Sequence, residues 1–188
     1  MDQTLYYVVR YTGPFGYIKP WTAVRDEKTF SQQFLTPSII EGIRQKLGVS
    51  AILRHRLSYA KIDQQQERTQ SRAFALETKR KRATREQSIL VRGVLLYPVL
   101  TLVFTTSMDA RQAAEQHVCL CRNEDILLPD ESIQAISEDE FDQIPGFELQ
   151  FGDGPTAIMV GYDRFQNNQP MYGTLRIVGT PVGAQSLE

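Results

Sequence analysis

The stretch that most restricts the fold is residues 63–88, DQQQERTQSRAFALETKRKRATREQS, where Phe74 and Leu76 are the only large apolar side chains. A segment this polar cannot bury itself. Two arrangements remain: a mobile loop, or a hairpin that projects from a domain formed by the rest of the chain. Phe74 and Leu76 alternate, which puts them on one face if the segment is extended. The flanks are different in character. Residues 51–62 partly alternate apolar and polar, and residues 89–106 (ILVRGVLLYPVLTLVFTT) are the most hydrophobic stretch of the chain, with Pro98 as a bend or edge position.

The insert also belongs to a lopsided charge distribution. Residues 1–92 hold 17 of the 21 Lys and Arg but 8 of the 22 Asp and Glu, a net of +9; residues 93–188 carry the remaining 4 and 14, a net of −10. The whole-chain value of −1 hides this. A basic half fits a polyanion, because Lys and Arg that replace counterions on phosphates drive nucleic-acid binding. It equally fits internal neutralisation, with the acidic half folded back on the basic one. Both readings stay open on composition alone.

Composition narrows the class. With 41% hydrophobic and 23% charged residues the chain is globular rather than disordered. Two cysteines exclude a disulfide scaffold, and no apolar run approaches the roughly 18–20 residues of a membrane span. The first residues, MDQTLYYVVRYTGPFG, have neither the basic nor the apolar region of a secretory signal. A cytoplasmic protein with Cys119 and Cys121 as free thiols is the expectation.

The elements follow from pattern. Leu5–Tyr11 is aromatic and β-branched and stops at Gly13-Pro14, so it reads as a buried first strand. Residues 13–33 read as a long structured loop. Thr36-Pro37 opens a helix with Ile39, Ile40, Ile43 and Leu47 as its apolar stripe, and Gly48 ends it. Residues 51–62 read as a strand facing the core through Ile52, Leu57, Tyr59 and Ile62, with Arg54, His55, Arg56 and Lys61 largely exposed. After the insert come the 89–106 strands, a helix over 109–117, a strand within 118–128 and late strands at 157–160 and 174–178. The order βαβ, insert, βαβ gives an α+β chain. Its core is expected to be a ferredoxin-like (RRM-like) βαββαβ unit over 1–128, with a basic hairpin insert at about 63–88 and an acidic C-terminal β extension over 129–188.

Familiar catalytic and cofactor signatures are missing: there is no Walker A, GxGxxG, HExxH or nucleophile elbow. Cys119-x-Cys121 beside His117 lacks the second ligand pair that zinc wants. The acidic run Glu138, Asp139, Glu140 and Asp142 lacks the spacing of a calcium loop. Neither metal nor cofactor is expected. What remains is a set of candidate RNA contacts. Lys79, Arg80, Lys81 and Arg82, with Arg72 and Arg85, form a phosphate clamp or a solubilising hairpin tip. Tyr17, Lys19 and Trp21 stack on bases or pack on the helix. Arg44 and Lys46 touch phosphates from the polar side of the helix or are simply solvated. Arg54 and Arg56 share one strand face and reach RNA across the sheet.

Several pieces, in order, resemble one family. They are Gly13-Pro14-Phe15-Gly16-Tyr17, then Thr36-Pro37-Ser38 with Gly42-Ile43, then Arg54–Ile62. After these come Arg85-Glu86-Gln87 with Val91-Arg92-Gly93-Val94, Cys121-Arg122-Asn123, and Gly161-Tyr162 with Pro170 and Gly173. The series is similar to the Cas-five family of type I CRISPR surveillance complexes (Cascade), nearest its type I-C branch. The resemblance implies a ferredoxin-like core with a thumb hairpin. It implies a subunit that caps the 5′ handle of crRNA, docks between the backbone subunits and the large subunit, and meets target DNA only indirectly. Members of that branch also cut precursor crRNA without metal, using a Tyr on the first helix and a Lys-His pair. Here the helix has no Tyr and no Lys-His dipeptide occurs. Non-catalytic capping is therefore the leading expectation. Metal-independent endoribonuclease activity is the alternative, with His55, Lys81 and Tyr59 as its candidates for moving protons in attack by a 2′-hydroxyl.

Overall fold

The computed structural model describes residues 5–22, 27–77 and 82–183; side chains are described outside 69–88. In chain order the elements are β1 (Leu5–Thr12), β2 (Phe15–Gly16), β3 (Lys28–Phe30), α1 (Pro37–Leu47), β4 (Arg54–Ser58), β5 (Lys61–Glu77), β6 (Arg82–Leu96), β7 (Val99–Phe104), α2 (Ser107–Ala114), β8 (Val118–Cys119), β9 (Ile126–Pro129), β10 (Gln134–Ser137), α3 (Glu138–Gln143), β11 (Gly146–Phe151), β12 (Ile158–Asp163) and β13 (Gln169–Val178). The main sheet has nine strands in the order β12-β13-β11-β4-β7-β1-β9-β8, with β10 also pairing β1. β1 and β4 both pair antiparallel with β7, and β9 pairs antiparallel with β1.

β7 runs through the middle of this sheet and all six of its residues are buried. That is the physical meaning of the unbroken apolar run at 99–104: both faces of the strand are covered. On one face Val9, Tyr11, Leu57, Leu100, Leu102 and Phe104 pack with Ile40, Ile43 and Leu47 of α1 and Ala110 and Ala113 of α2. On the other, Tyr6, Val8 and Val103 pack against Phe141 of α3.

The helices start and stop where local chemistry dictates. Thr36 precedes Pro37 at the first helical turn, and Gly48 ends α1 in the left-handed conformation, φ 69°, where its N–H bonds to the Arg44 carbonyl. Thr106 caps α2 by accepting from the Asp109 N–H; Asp109 in turn accepts from the Ser50 N–H and hydroxyl, tying α2 to the segment after α1. α3 opens with a capping box between Ser137 and Glu140.

β5 and β6 form an antiparallel hairpin registered from Lys61↔Leu96 to Glu77↔Arg82, irregular between Gln70 and Phe74. A 17-residue strand rises on the order of 55 Å. Among the described residues, strand pairing holds the hairpin at its root: β2 pairs Leu95 and Leu96, and β3 runs parallel to Val91–Gly93. Phe30 of β3 lies over Gly93, where an added Cβ would stand 2.2 Å from the Phe30 ring. The core-poor stretch is thus a hairpin rather than a loop, anchored where its sequence turns apolar.

One expectation about β4 is reversed. Arg54 and Arg56 do share a face, as their spacing requires, but that face is covered by α3 and β11. Arg56 is 1% exposed and His55 3%. Arg54 donates twice to Glu148 at 2.8 Å and pairs with Asp142 at 2.8 Å. Arg56 lies 3.2 Å from Glu148 and 3.5 Å from Asp142. Both guanidinium groups sit over the Phe141 ring, at 4.6 and 5.2 Å. Arg176 completes the set by donating to both Asp142 oxygens. The acidic half has folded back on this part of the basic half, for two buried arginines without carboxylates would be far too costly. Tyr59, 2% exposed, stacks on Phe147 in the core.

β4 and β11 share a single registered pair, Phe147↔Leu57. The ion network, together with the Leu149 N–H donating to His55 Nε2 at 3.4 Å, carries the rest of the seam. Glu148→Ala should therefore destabilise the protein by about 3–5 kcal/mol, read from denaturant unfolding, because two buried cations lose their main partner. Burial pushes His55 down to about 4 from its ordinary 6.5. Above pH 6.5 the imidazole is neutral whether folded or unfolded. Below it the unfolded chain takes up a proton that the fold refuses. Stability should fall between pH 6.5 and 4 at up to tenfold in the unfolding constant per pH unit, and His55→Gln should flatten that limb.

Candidate nucleic-acid interface

With Arg54 and Arg56 neutralised inside, three solvent-facing basic side chains, Lys46, His117 and Arg164, line a cleft of about 510 Å³ between α1, the β8 strand with its following turn, and the turn after β12. Ser38, Gly42 and Lys46 line it from α1, His117, Cys119, Cys121 and Asn123 from β8 and its flanks, and Arg164 from the third side. Helical spacing puts Ser38, Gly42 and Lys46 on one stripe of α1. β8 and the bend and turn that follow it bring His117, Cys119, Cys121 and Asn123 to the cleft.

The turn that carries Arg164 is rigid. Asp163, 7% exposed, accepts from the Ser38 hydroxyl at 3.0 Å and from the Phe165 N–H at 2.9 Å, and its carbonyl accepts from Gln166 and Asn168. Asn167 and Asn168 adopt the left-handed backbone that closes the turn. Arg164 lies over the Phe165 ring at 4.7 Å and reaches toward Gly42, where a Cβ would stand 3.3 Å from its Nη2. A side chain at position 42 would thus press on the guanidinium and shift it by a few tenths of an ångström.

Lys19, Lys46, His117 and Arg164 are exposed. Among the described residues, Lys19, Lys46 and Arg164 form no ion pair. Lys19 is exposed on the loop after β2 and is not among the residues that line the cleft. Two residues on, Trp21 is exposed and meets Tyr162 edge to face. Both cysteines are free, and among the described residues no group of His, Cys, Asp and Glu is placed to hold a metal ion.

Other expected contacts are committed elsewhere. Tyr17 is 2% exposed, with its hydroxyl against Thr29 Oγ1 at 2.9 Å and the guanidinium groups of Arg92 and Arg122 at 5.5 and 5.3 Å from its ring. It anchors the hairpin root and offers no face to a base. Arg44 donates to both Glu41 oxygens and to the Val49 carbonyl, closing the end of α1 and holding the Glu41 carboxyl down at about 2. His55 and Tyr59 are enclosed and reach no phosphodiester. Arg72, Arg82 and Arg85 lie on the hairpin strands at positions where only the backbone is described, and Lys79, Arg80 and Lys81 lie outside the described residues.

Lys19, Lys46 and Trp21 therefore stand where a ligand can meet them. His117, Tyr162 and Arg164 join them, although residue pattern alone does not single them out as RNA contacts. Arg164 and Tyr162 sit in the acidic half, where the charge count draws attention away from a cation. The one local signal is the Gly161-Tyr162 pair beside the turn residues 166–170.

No family model and no curated protein matches the chain. Among solved structures, a chain of one described as a CRISPR RNA-guided surveillance complex superposes with a TM-score of 0.57 at 11% sequence identity, over 95% of this chain and 91% of that one. At this identity the likeness is one of fold. The cleft and the arginine clusters predict opposite responses. Lys46→Gln and Arg164→Gln should shift stability by no more than about 0.5 kcal/mol. Arg122→Ala should cost about 3 kcal/mol, since it strips the partner from Asp125, which is 0% exposed and held at 2.6 Å. Thermal melts of the three variants separate the two classes.

Proposed function

We propose that this protein is an RNA-binding subunit of a CRISPR RNA-guided surveillance complex. Its role in this reading is to cap the 5′ handle of crRNA and bridge backbone and large subunits, as a member of the Cas-five family. The observation that carries the proposal is the likeness of fold over nearly the whole length of both chains. Three features support it independently. The strand order β4-β7-β1-β9, antiparallel throughout, with α1 and α2 packed on one face, is what a ferredoxin-like unit requires. The sequence of the 63–88 insert, whose strands pair as the β5–β6 hairpin, holds seven Lys and Arg, the composition that a thumb gripping RNA would need. The cleft adds Lys46 and Arg164, which have no carboxylate partner among the described residues.

A phosphate backbone is the natural complement of such a surface. It offers a line of negative charges to Lys and Arg spread over a hairpin and a cleft, and releasing its counterions drives association. The acidic residues exposed on α3, Glu138, Asp139 and Glu140, sit on the sheet face opposite α1 and repel the same polyanion. This leaves that side to protein neighbours. The reading is non-catalytic: the two described candidates for RNA cleavage, His55 and Tyr59, are enclosed, and no observation favours a nuclease.

The protein should bind single-stranded RNA with an affinity that falls steeply with salt. Replacing Lys79, Arg80, Lys81 and Arg82 together by Ala should leave the melting temperature unchanged. It should reduce the slope of log K against log salt by about 0.7 for each phosphate that the variant no longer neutralises. Binding indifferent to salt, or no binding to the cognate handle, would overturn the proposal.

A further inference from the structure

We infer that Trp21 and Tyr162 form a stacking platform for one unpaired nucleobase at the rim of the cleft, with Arg164, Lys46 and Lys19 holding the phosphates of the same strand. The inference rests on the RNA-binding reading above and adds to it a base-contacting site. The two rings are 49% and 56% exposed, their centroids are 5.9 Å apart, and their planes are 89° apart. In an edge-to-face pair one ring lends only its edge, so that ring keeps both of its faces for another partner.

The pair is built rather than incidental. Trp21 lies against Gly161, where an added Cβ would stand 3.3 Å from both Trp21 Cβ and Met171 Cε, and the glycine backbone, φ 131°, is one that other residues rarely adopt. The bare glycine lets the indole lie close to β12, beside Tyr162. Tyr162 and Arg164 are two residues apart on the same segment, and Lys19 and Trp21 two apart on the other. Each strand of the rim thus supplies one aromatic ring and one cation.

Charge decides what such a rim takes. Unpaired cations beside half-exposed rings suit an anionic partner that carries flat apolar groups at short intervals, which describes single-stranded nucleic acid. An aromatic face binds any base, so the contact is expected to hold a strand without reading its sequence. Trp21 is the only tryptophan in the chain, so the platform reports on itself.

The test uses the full chain with an oligouridylate and an abasic oligomer of the same length. Binding is followed by anisotropy of a label on the oligomer and, in parallel, by tryptophan emission. The oligouridylate should quench emission along the same isotherm as the anisotropy; the abasic oligomer should bind more weakly and leave emission unchanged. Tyr162→Ala should weaken oligouridylate binding about tenfold and abasic binding little. Arg164→Gln should lower the salt slope for both oligomers by about 0.7. Anisotropy without quenching, or equal weakening for both oligomers in Tyr162→Ala, would overturn the platform while sparing the RNA-binding reading. No anisotropy change with any RNA, in a protein with an unchanged melt, would overturn both.

Discussion

Arg54 and Arg56 cannot be buried without Glu148 and Asp142, and the rest of the architecture turns on that requirement. β4 contributes only one registered pair to β11, so hydrogen-bonded pairing alone is a thin joint between the two parts of the main sheet. The carboxylates of β11 and α3 supply the missing attachment. They draw α3 over the sheet and seat Phe141 under two guanidinium groups. Charge also fixes which face of β4 is closed to any ligand. Arg56 is held by proximity and by the ring rather than by aligned hydrogen bonds: its three guanidinium nitrogens have no hydrogen-bond partner. Such a site tolerates the loss of neither sign of charge.

This internal neutralisation separates two groups of cations. Arg44, Arg54, Arg56, Arg92 and Arg122 are spent on carboxylates within the protein. Among the described residues, Lys19, Lys46 and Arg164 form no ion pair within the protein. The two readings of the charge asymmetry, internal pairing and a polyanion partner, are therefore not rivals. Internal pairing draws on arginines, whose planar forks suit paired carboxylates, and the proposed function calls on the exposed lysines for the polyanion.

Much of the fold was legible because its signals are local. Thr36-Pro37 and Gly48 bound α1, the run at 99–104 marks a strand covered on both faces, and the polar stretch at 63–88 had to leave the body. The ends of the hairpin were legible too, since apolar residues begin again at Ile89. The candidate site was legible only in part. Lys19, Lys46 and Trp21 are exposed, but Tyr17, two residues from Lys19, is enclosed by Arg92 and Arg122. Nothing near Tyr17 in the chain announces those two arginines, which come from β6 and from the turn after β8. In the same way Arg54 and Glu148 are 94 residues apart, and polar alternation in β4 looks identical whether its polar face meets water or a carboxylate. The register of β11 on β4 decides between them, and register is a property of the assembled sheet.

The most direct test of this account is ultraviolet crosslinking of the protein to bound RNA, with crosslinked peptides identified by mass spectrometry. The account predicts crosslinks in the 17–22 loop, in the 63–88 hairpin and around 161–165, and none on the β4 peptide that carries Arg54 and Arg56. Crosslinks concentrated on β4, with the loop and the hairpin clean, would contradict it, for RNA would then occupy the face that α3 is held to cover.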